Sequence, residues 1–223
     1  MTGVPSSKVV VYLARHAETS GNVNRTITEP EVDLLTDLGK VQTNLLGSHL
    51  STVKIDYAFS SDYGRAVLTA KGVLKQSKCS SHISVKTEQR LREVNFGDYE
   101  SRSYEETLLY AYDLNVQPLQ WSFPGGESFR EVGLRMLNVI TEICENILVE
   151  AQPVPHPQFS LSHSASIVNF CNALHESTSH EVRGWDHAKD LKLMGNASYM
   201  RFEVEKTKKD TPAARMTIVI QMQ

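Results

Sequence analysis

Short unbroken apolar stretches alternate along this chain with longer stretches of helical period. Residues 8–13 are rich in β-branched residues and apolar on both faces, the pattern of a central parallel strand covered by helices. Thr36 stands as an N-cap before a helix over 37–50, with Leu38, Val41, Leu45, Leu46 and Leu50 on its buried face. Ile55 to Ser60 reads as a second strand, Asp62 as the cap of a helix burying Ala66, Leu68, Ala70 and Val73, and Ile83 to Val85 as a third strand. Ser103 with Glu106 and Ser128 with Glu131 are spaced as capping boxes, which predicts helices over 103–114 and 128–150. The second of these carries Val132, Met136, Val139, Ile140 and Ile147 as its apolar stripe, and Pro153, Pro155 and Pro157 follow as a stiff connector. Phe159 to Ser162 is a strand, 165–175 a helix, and Ser198 to Val204 and Met216 to Met222 are closing strands joined through a polar run.

A β-α-β-α-β order favours parallel pairing. The expected fold is α/β: a three-layer α/β/α sandwich with a mostly parallel central sheet and helices on both faces. No repeat or linker divides the chain, so one domain over 1–223 is expected, although this length also suits two small ones.

Composition acts mainly by exclusion. A net charge of -3 exerts no global pull toward nucleic acid or an anionic membrane, so any anion affinity must be local. No stretch approaches the roughly 18 apolar residues of a membrane span, and the N-terminus lacks an apolar leader core. Cys79, Cys144 and Cys171 are odd in number and widely spaced, which suits reduced, mostly buried thiols rather than a disulfide framework. A cytoplasmic protein, monomer or homodimer, with no nucleic acid and no membrane partner is expected.

The chemistry sits where strands end. The first strand runs into Arg15 and His16, and the Phe159 to Ser162 strand runs into His163. In open α/β sheets ligands bind at that end of the strands. Arg65, in the first turn after another strand, joins them where helix N-termini also point, so a dianion such as a phosphoryl group fits. Any one of these residues alone reads as a surface or capping group; four at strand exits together read as a site. A metal site is disfavoured because no His-Glu-x-x-His motif or clustered carboxylates accompany the histidines, and a Ser-His-Asp hydrolase because Gly-x-Ser-x-Gly is absent. No cofactor is expected.

Arg15-His16-Ala17-Glu18-Thr19-Ser20-Gly21-Asn22 resembles the Arg-His-Gly-Glu-x-x-x-Asn signature of the histidine phosphatase, or phosphoglycerate mutase-like, superfamily. The segments Ala58 to Ala70, Arg90 to Glu100, Pro124 to Ser128 and Leu161 to Ser164 follow in that family's order. Ala17 replaces a glycine, and Ser164-Ala165 stands where Gly-Gly or Gln-Ala is commoner. The resemblance implies a catalytic set of His16, Arg15, Arg65, Glu93 and His163. His16 would be the nucleophile forming a phosphohistidine. Arg15, Arg65, His163 and Asn22 would hold phosphoryl oxygens, with Ser164 beside them, and Glu93 would be the general acid and base.

The segments from Leu91 to Glu106 and from Pro124 to Ser128 are similar to the fructose-2,6-bisphosphatase and TIGAR-like branch, which implies hydrolysis of small phosphorylated metabolites, sugar or glycerate phosphates. The other readings are a low-activity phospho-ligand-binding module of the same fold and a mutase-type phosphotransferase. Tyr104 and Arg102 match positions that contact a second phosphate in that branch. Val168 and Trp121-Ser122-Phe123-Pro124 replace two of its arginine-bearing positions.

Overall fold

The apolar run Lys8–Arg15 forms β1, and residues on both of its faces are buried. The computed structural model describes residues 8–28, 34–113, 122–150, 156–178, 180–183, 194–206 and 216–222. Six further strands are β2 (Tyr57–Ser60), β3 (Val85–Thr87), β4 (His156–Ser162), β5 (His180–Arg183), β6 (Tyr199–Lys206) and β7 (Met216–Met222). They form one sheet in the order β3-β2-β4-β1-β6-β7-β5. Pairing is parallel from β3 through β1 and between β7 and β5, and antiparallel where β6 meets β1 and β7.

The helices are α1 (Ser20–Asn24), α2 (Asp37–His49), α3 (Gly64–Lys75), α4 (Tyr104–Asp113), α5 (Phe129–Glu150) and α6 (Ser164–Glu176). Alternate residues Val9, Val11 and Leu13 of β1 share a core with Met136 and Ile140 of α5 and Phe170 of α6. Ala14 and Leu161 join a second core with Leu46 of α2 and Ala70 of α3. The sheet is therefore covered on both faces, as a three-layer α/β/α sandwich requires. Both predicted capping boxes form. Glu106 N–H donates to Ser103 Oγ at 3.1 Å and Ser103 N–H to Glu106 Oε2 at 3.2 Å, and Ser128 and Glu131 exchange the same bonds at 3.1 and 2.7 Å. Thr36 caps α2 by accepting Gly39 N–H at 2.9 Å.

Several expectations need correction. Leu38, Val41 and Leu45 are 53%, 52% and 65% exposed, and α2 instead buries Gly39, Thr43, Leu46 and Gly47. The reason is close helix contact: a Cβ on Gly72 of α3 would lie 2.4 Å from Thr43 Cγ2. Two helices so close meet through their small residues, which turns Leu38, Val41 and Leu45 outward, while Leu46 and Leu50 are buried as expected. Leu68 is likewise 45% exposed. Asp62 does not cap α3, because its carboxylate is taken by the Arg92 fork, Nε to Oδ1 at 2.7 Å and Nη2 to Oδ2 at 2.5 Å. The second strand starts later than Ile55 and the third is shifted to Val85–Thr87, while Pro157 lies inside β4 near its start, where a missing donor costs least. α1 and β5, each of five residues or fewer, carry too little pattern to be read in advance. Pro153, Pro155, Trp121 and the run from Thr207 to Ala214 lie outside the described residues.

Candidate active site

Because β1 and β4 are parallel neighbours, with Arg15 opposite Ser162, the next residues of both strands emerge side by side. The rings of His16 and His163 have centroids 5.1 Å apart, and both residues are buried. His16 N–H donates to Ser162 O at 3.1 Å, locking the two exits together. Its Nδ1 lies 2.8 Å from Ala17 O. A carbonyl can only accept, so Nδ1 carries a proton, and in the neutral ring the lone pair belongs to Nε2.

The neighbouring elements supply the charges. Arg65, in the first turn of α3, is 5% exposed, and its guanidinium lies 4.9 Å from the centre of the Tyr63 ring. That ring stands edge-on to His163 at 5.2 Å, and Arg92 lies over it at 5.4 Å. Arg15 Nη1 donates to Met194 O at 2.7 Å, while Arg15 Nε is buried without a hydrogen-bond acceptor. Ser164 Oγ donates to the same carbonyl at 3.3 Å, which places Ser164 beside Arg15. Burial draws the Arg15 pKa down, Glu93 and Tyr104 act against it, and Arg65 adds to it. A guanidinium stays charged through such a shift. Asn22 Oδ1 accepts Thr19 N–H at 3.2 Å and Asn196 Nδ2–H at 2.9 Å, so the amide nitrogen is the end turned to donate.

Glu93 is oriented by the start of α6. Its Oε1 accepts Ser166 N–H and Ser166 Oγ–H at 3.0 Å each and Val94 N–H at 3.1 Å. All three donors fall on one oxygen, leaving Oε2 as the working end. The structure thus brings Arg15, His16, Asn22, Arg65, Glu93, His163 and Ser164 to one sheet edge, with Tyr104 near enough to act on Arg15. Arg102 is exposed, and its guanidinium stacks over Tyr99 at 4.7 Å. Ser61, Tyr63, Ser166, Met194 and Asn196 were not anticipated. Ser61 and Ser166 sit within four residues of Arg65 or His163, and that proximity is the only signal they carry. Glu18, within the signature, has a structural role, accepting Thr36 Oγ–H at 2.7 Å at the α2 cap. Among the described residues no three His, Cys, Asp or Glu side chains cluster as a metal site needs.

The model of the histidine phosphatase superfamily (branch 1) matches residues 11–211. The chain belongs to this superfamily. Among relatives of this histidine phosphatase, the fructose-2,6-bisphosphatase TIGAR of Xenopus tropicalis is 28% identical over 164 residues, covering 73% of this chain and 60% of that protein. The probable phosphoglycerate mutase GpmB of Yersinia enterocolitica is 33% identical over 130 residues, 56% of this chain and 59% of that one. The matched region thus spans about 60% of the length of these curated relatives. A solved phosphoglycerate mutase from Bacillus anthracis shares the fold, with a TM-score of 0.76 at 22% identity over 99% of this chain and 94% of that one.

His163 gives the histidine phosphatase a pH signature. Its Nε2 lies 3.0 Å from Ser61 Oγ and its Nδ1 is buried without a hydrogen-bond partner. Burial, then the charges of Arg65, His16, Arg15 and Arg135, hold this imidazole well below its usual range. In the unfolded chain the ring takes its proton near about pH 6.5. The neutral buried ring contributes stability above that pH, and the contribution is lost as pH falls below it, because only the unfolded state gains the proton. The thermal midpoint of the unliganded protein is expected to drop as pH is lowered from about 7.5 to 5.5. His163→Gln should flatten that drop; an unchanged slope in the variant would refute the assignment.

Proposed function

We propose that this histidine phosphatase hydrolyses phosphate monoesters of small metabolites, without a metal, through a phosphohistidine. The observation that carries the reading is the His16 ring. Its Nδ1 proton is tied to Ala17 O, so Nε2 is the nitrogen that attacks, beside His163, the buried Arg65 and the half-buried Arg15. Nε2 attacks phosphorus in line, and the bond to the leaving oxygen breaks as Glu93 gives that oxygen a proton. Glu93 then takes a proton from water, whose oxygen attacks the phosphohistidine; the P–N bond breaks and inorganic phosphate departs. Arg15, Arg65, His163 and the Asn22 amide hold the equatorial oxygens as charge moves between attacking and leaving atoms.

The likeness to fructose-2,6-bisphosphatase TIGAR supports a sugar or glycerate phosphate as substrate. Bisphosphate preference is expected to be weak. Val168 and the segment from Ser122 to Pro124 lack the arginines of that branch, which leaves Tyr104 and the Tyr99-stacked Arg102 as the additional contacts. Three free cysteines support a reducing, cytoplasmic setting, and one continuous sheet supports a single domain over 1–223. The test is phosphate release from p-nitrophenyl phosphate in EDTA, followed by a panel of phosphorylated metabolites. EDTA-resistant turnover on both is expected. Vanadate binding without release from any ester would show a binding module, and phosphoryl transfer between glycerate phosphates in place of release would show a mutase.

A further inference from the structure

The turn Pro124-Gly125-Gly126-Glu127-Ser128 has no part in the chemistry above, yet it lies against the segment that bears Glu93. Glu127 N–H donates to Asn95 O at 3.0 Å, Asn95 N–H to Glu127 Oε1 at 2.9 Å, and Asp98 N–H to Pro124 O at 2.9 Å. A Cβ on Gly126 would meet Asn95 O at 2.2 Å, so the two segments approach closely enough to require glycine.

Between them lies Arg135 of α5. A guanidinium has five N–H donors, and here each has an acceptor. Nε and Nη2 grip the Glu127 carboxylate at 3.2 and 2.7 Å. Nη1 donates to the carbonyls of Arg90 and Arg92 at 2.7 and 3.2 Å, and the second Nη2 proton reaches Glu93 O at 3.3 Å. Both side chains of the pair are only 22% exposed. The same segment is held from the sheet side, where Ser162 Oγ donates to Leu91 O at 2.7 Å and the single Ser166 Oγ–H is shared between Arg92 O at 2.8 Å and Glu93 Oε1 at 3.0 Å.

We infer that Arg135, aimed by Glu127, is a positioning residue for proton transfer, fixing the backbone of residues 90–93 so that Glu93 Oε2 meets the leaving oxygen. The inference rests on the proposed role of Glu93 as general acid. A planar fork with five fixed donors holds three carbonyls and one carboxylate in a single geometry; a lysine keeps the charge but has three donors on one point and cannot do so. Arg135 also bears on the charge state of His163, and Arg135→Lys preserves that influence while removing the fork.

The experiment compares kcat/KM for a series of phosphate esters, from p-nitrophenyl to alkyl, in the parent, Arg135→Lys, Glu127→Gln and Glu93→Gln proteins. Arg135→Lys and Glu127→Gln are expected to lose about 10- to 100-fold on alkyl esters, as small misplacements of a reacting group do, with p-nitrophenyl phosphate nearly unchanged. Adding Arg135→Lys to Glu93→Gln should cost the alkyl esters little more, since the group being positioned is already gone. Equal losses on all esters in Arg135→Lys and Glu127→Gln, with Glu93→Gln selective for alkyl ones, would overturn the positioning role alone. A Glu93→Gln protein with no such selectivity would instead overturn the general-acid reading on which it rests. Should Arg135→Lys fail to fold, Glu127→Gln, which keeps the volume and frees the fork, decides between the same outcomes.

Discussion

His16→Ala is expected to leave a folded protein whose turnover is lower by roughly 10⁴-fold or more, as loss of a covalent nucleophile does. The fold should survive because the strand exit is tied by backbone groups: His16 N–H to Ser162 O, and Ala197 N–H to His16 O at 3.2 Å. What disappears is the Nε2 lone pair, and the site offers no second nucleophile placed like it, since Nε2 of His163 is engaged with Ser61. Quenching the parent enzyme during turnover should trap a phosphoenzyme that survives base and decays in acid, as a phosphoramidate does, and the alanine variant should trap none. Substantial turnover in His16→Ala would remove the phosphohistidine from the mechanism.

Glu93→Gln should separate substrates by leaving group. The amide oxygen can take the place of Oε1 and keep the bonds from Ser166 and Val94, so the residue stays in position while the transferable proton is lost. Alkyl phosphates, whose alkoxides leave poorly, are expected to lose about 10²- to 10⁴-fold, the usual contribution of general acid catalysis. p-Nitrophenyl phosphate, whose leaving group departs as an anion, should retain most of its first-step rate. Parallel losses across both classes would mean that Glu93 orients the substrate and transfers no proton.

What could be read in advance was whatever depends on neighbours in the chain. The capping pairs Ser103 with Glu106 and Ser128 with Glu131 close as spaced, because both partners lie within one turn. The strand exits at His16 and His163 were legible for a similar reason, an apolar run that ends abruptly in charge. The face of α2 was not, because bulky residues mark a buried stripe only where the neighbour leaves room, and here Gly72 and Thr43 bring the helices too close. Asp62 was misread because its partner Arg92 lies 30 positions away and no local pattern announces it. The supports of the site share that property: Met194 reaches Arg15 across 179 positions and Ser166 reaches Glu93 across 73. The family signature marks the reacting groups more fully than what steadies them, since Met194 and Ser166 lie outside the segments that carry the resemblance.

The pairing of β1 with β4 also governs when this protein can begin to work. Val9 lies opposite His156, so well over half of the 223 residues must be synthesised before the strand that leads into His16 finds its parallel partner. At about 5–20 residues per second a ribosome takes roughly 7 to 30 s to cover that distance. Throughout that interval a strand apolar on both faces waits with both edges open, since its other neighbour β6 follows β4 in the chain, and such edges are templates for mispairing. Folding yield should therefore depend on what shields residues 8–15 during synthesis, and phosphatase activity should be absent from any nascent chain that stops short of Ser162.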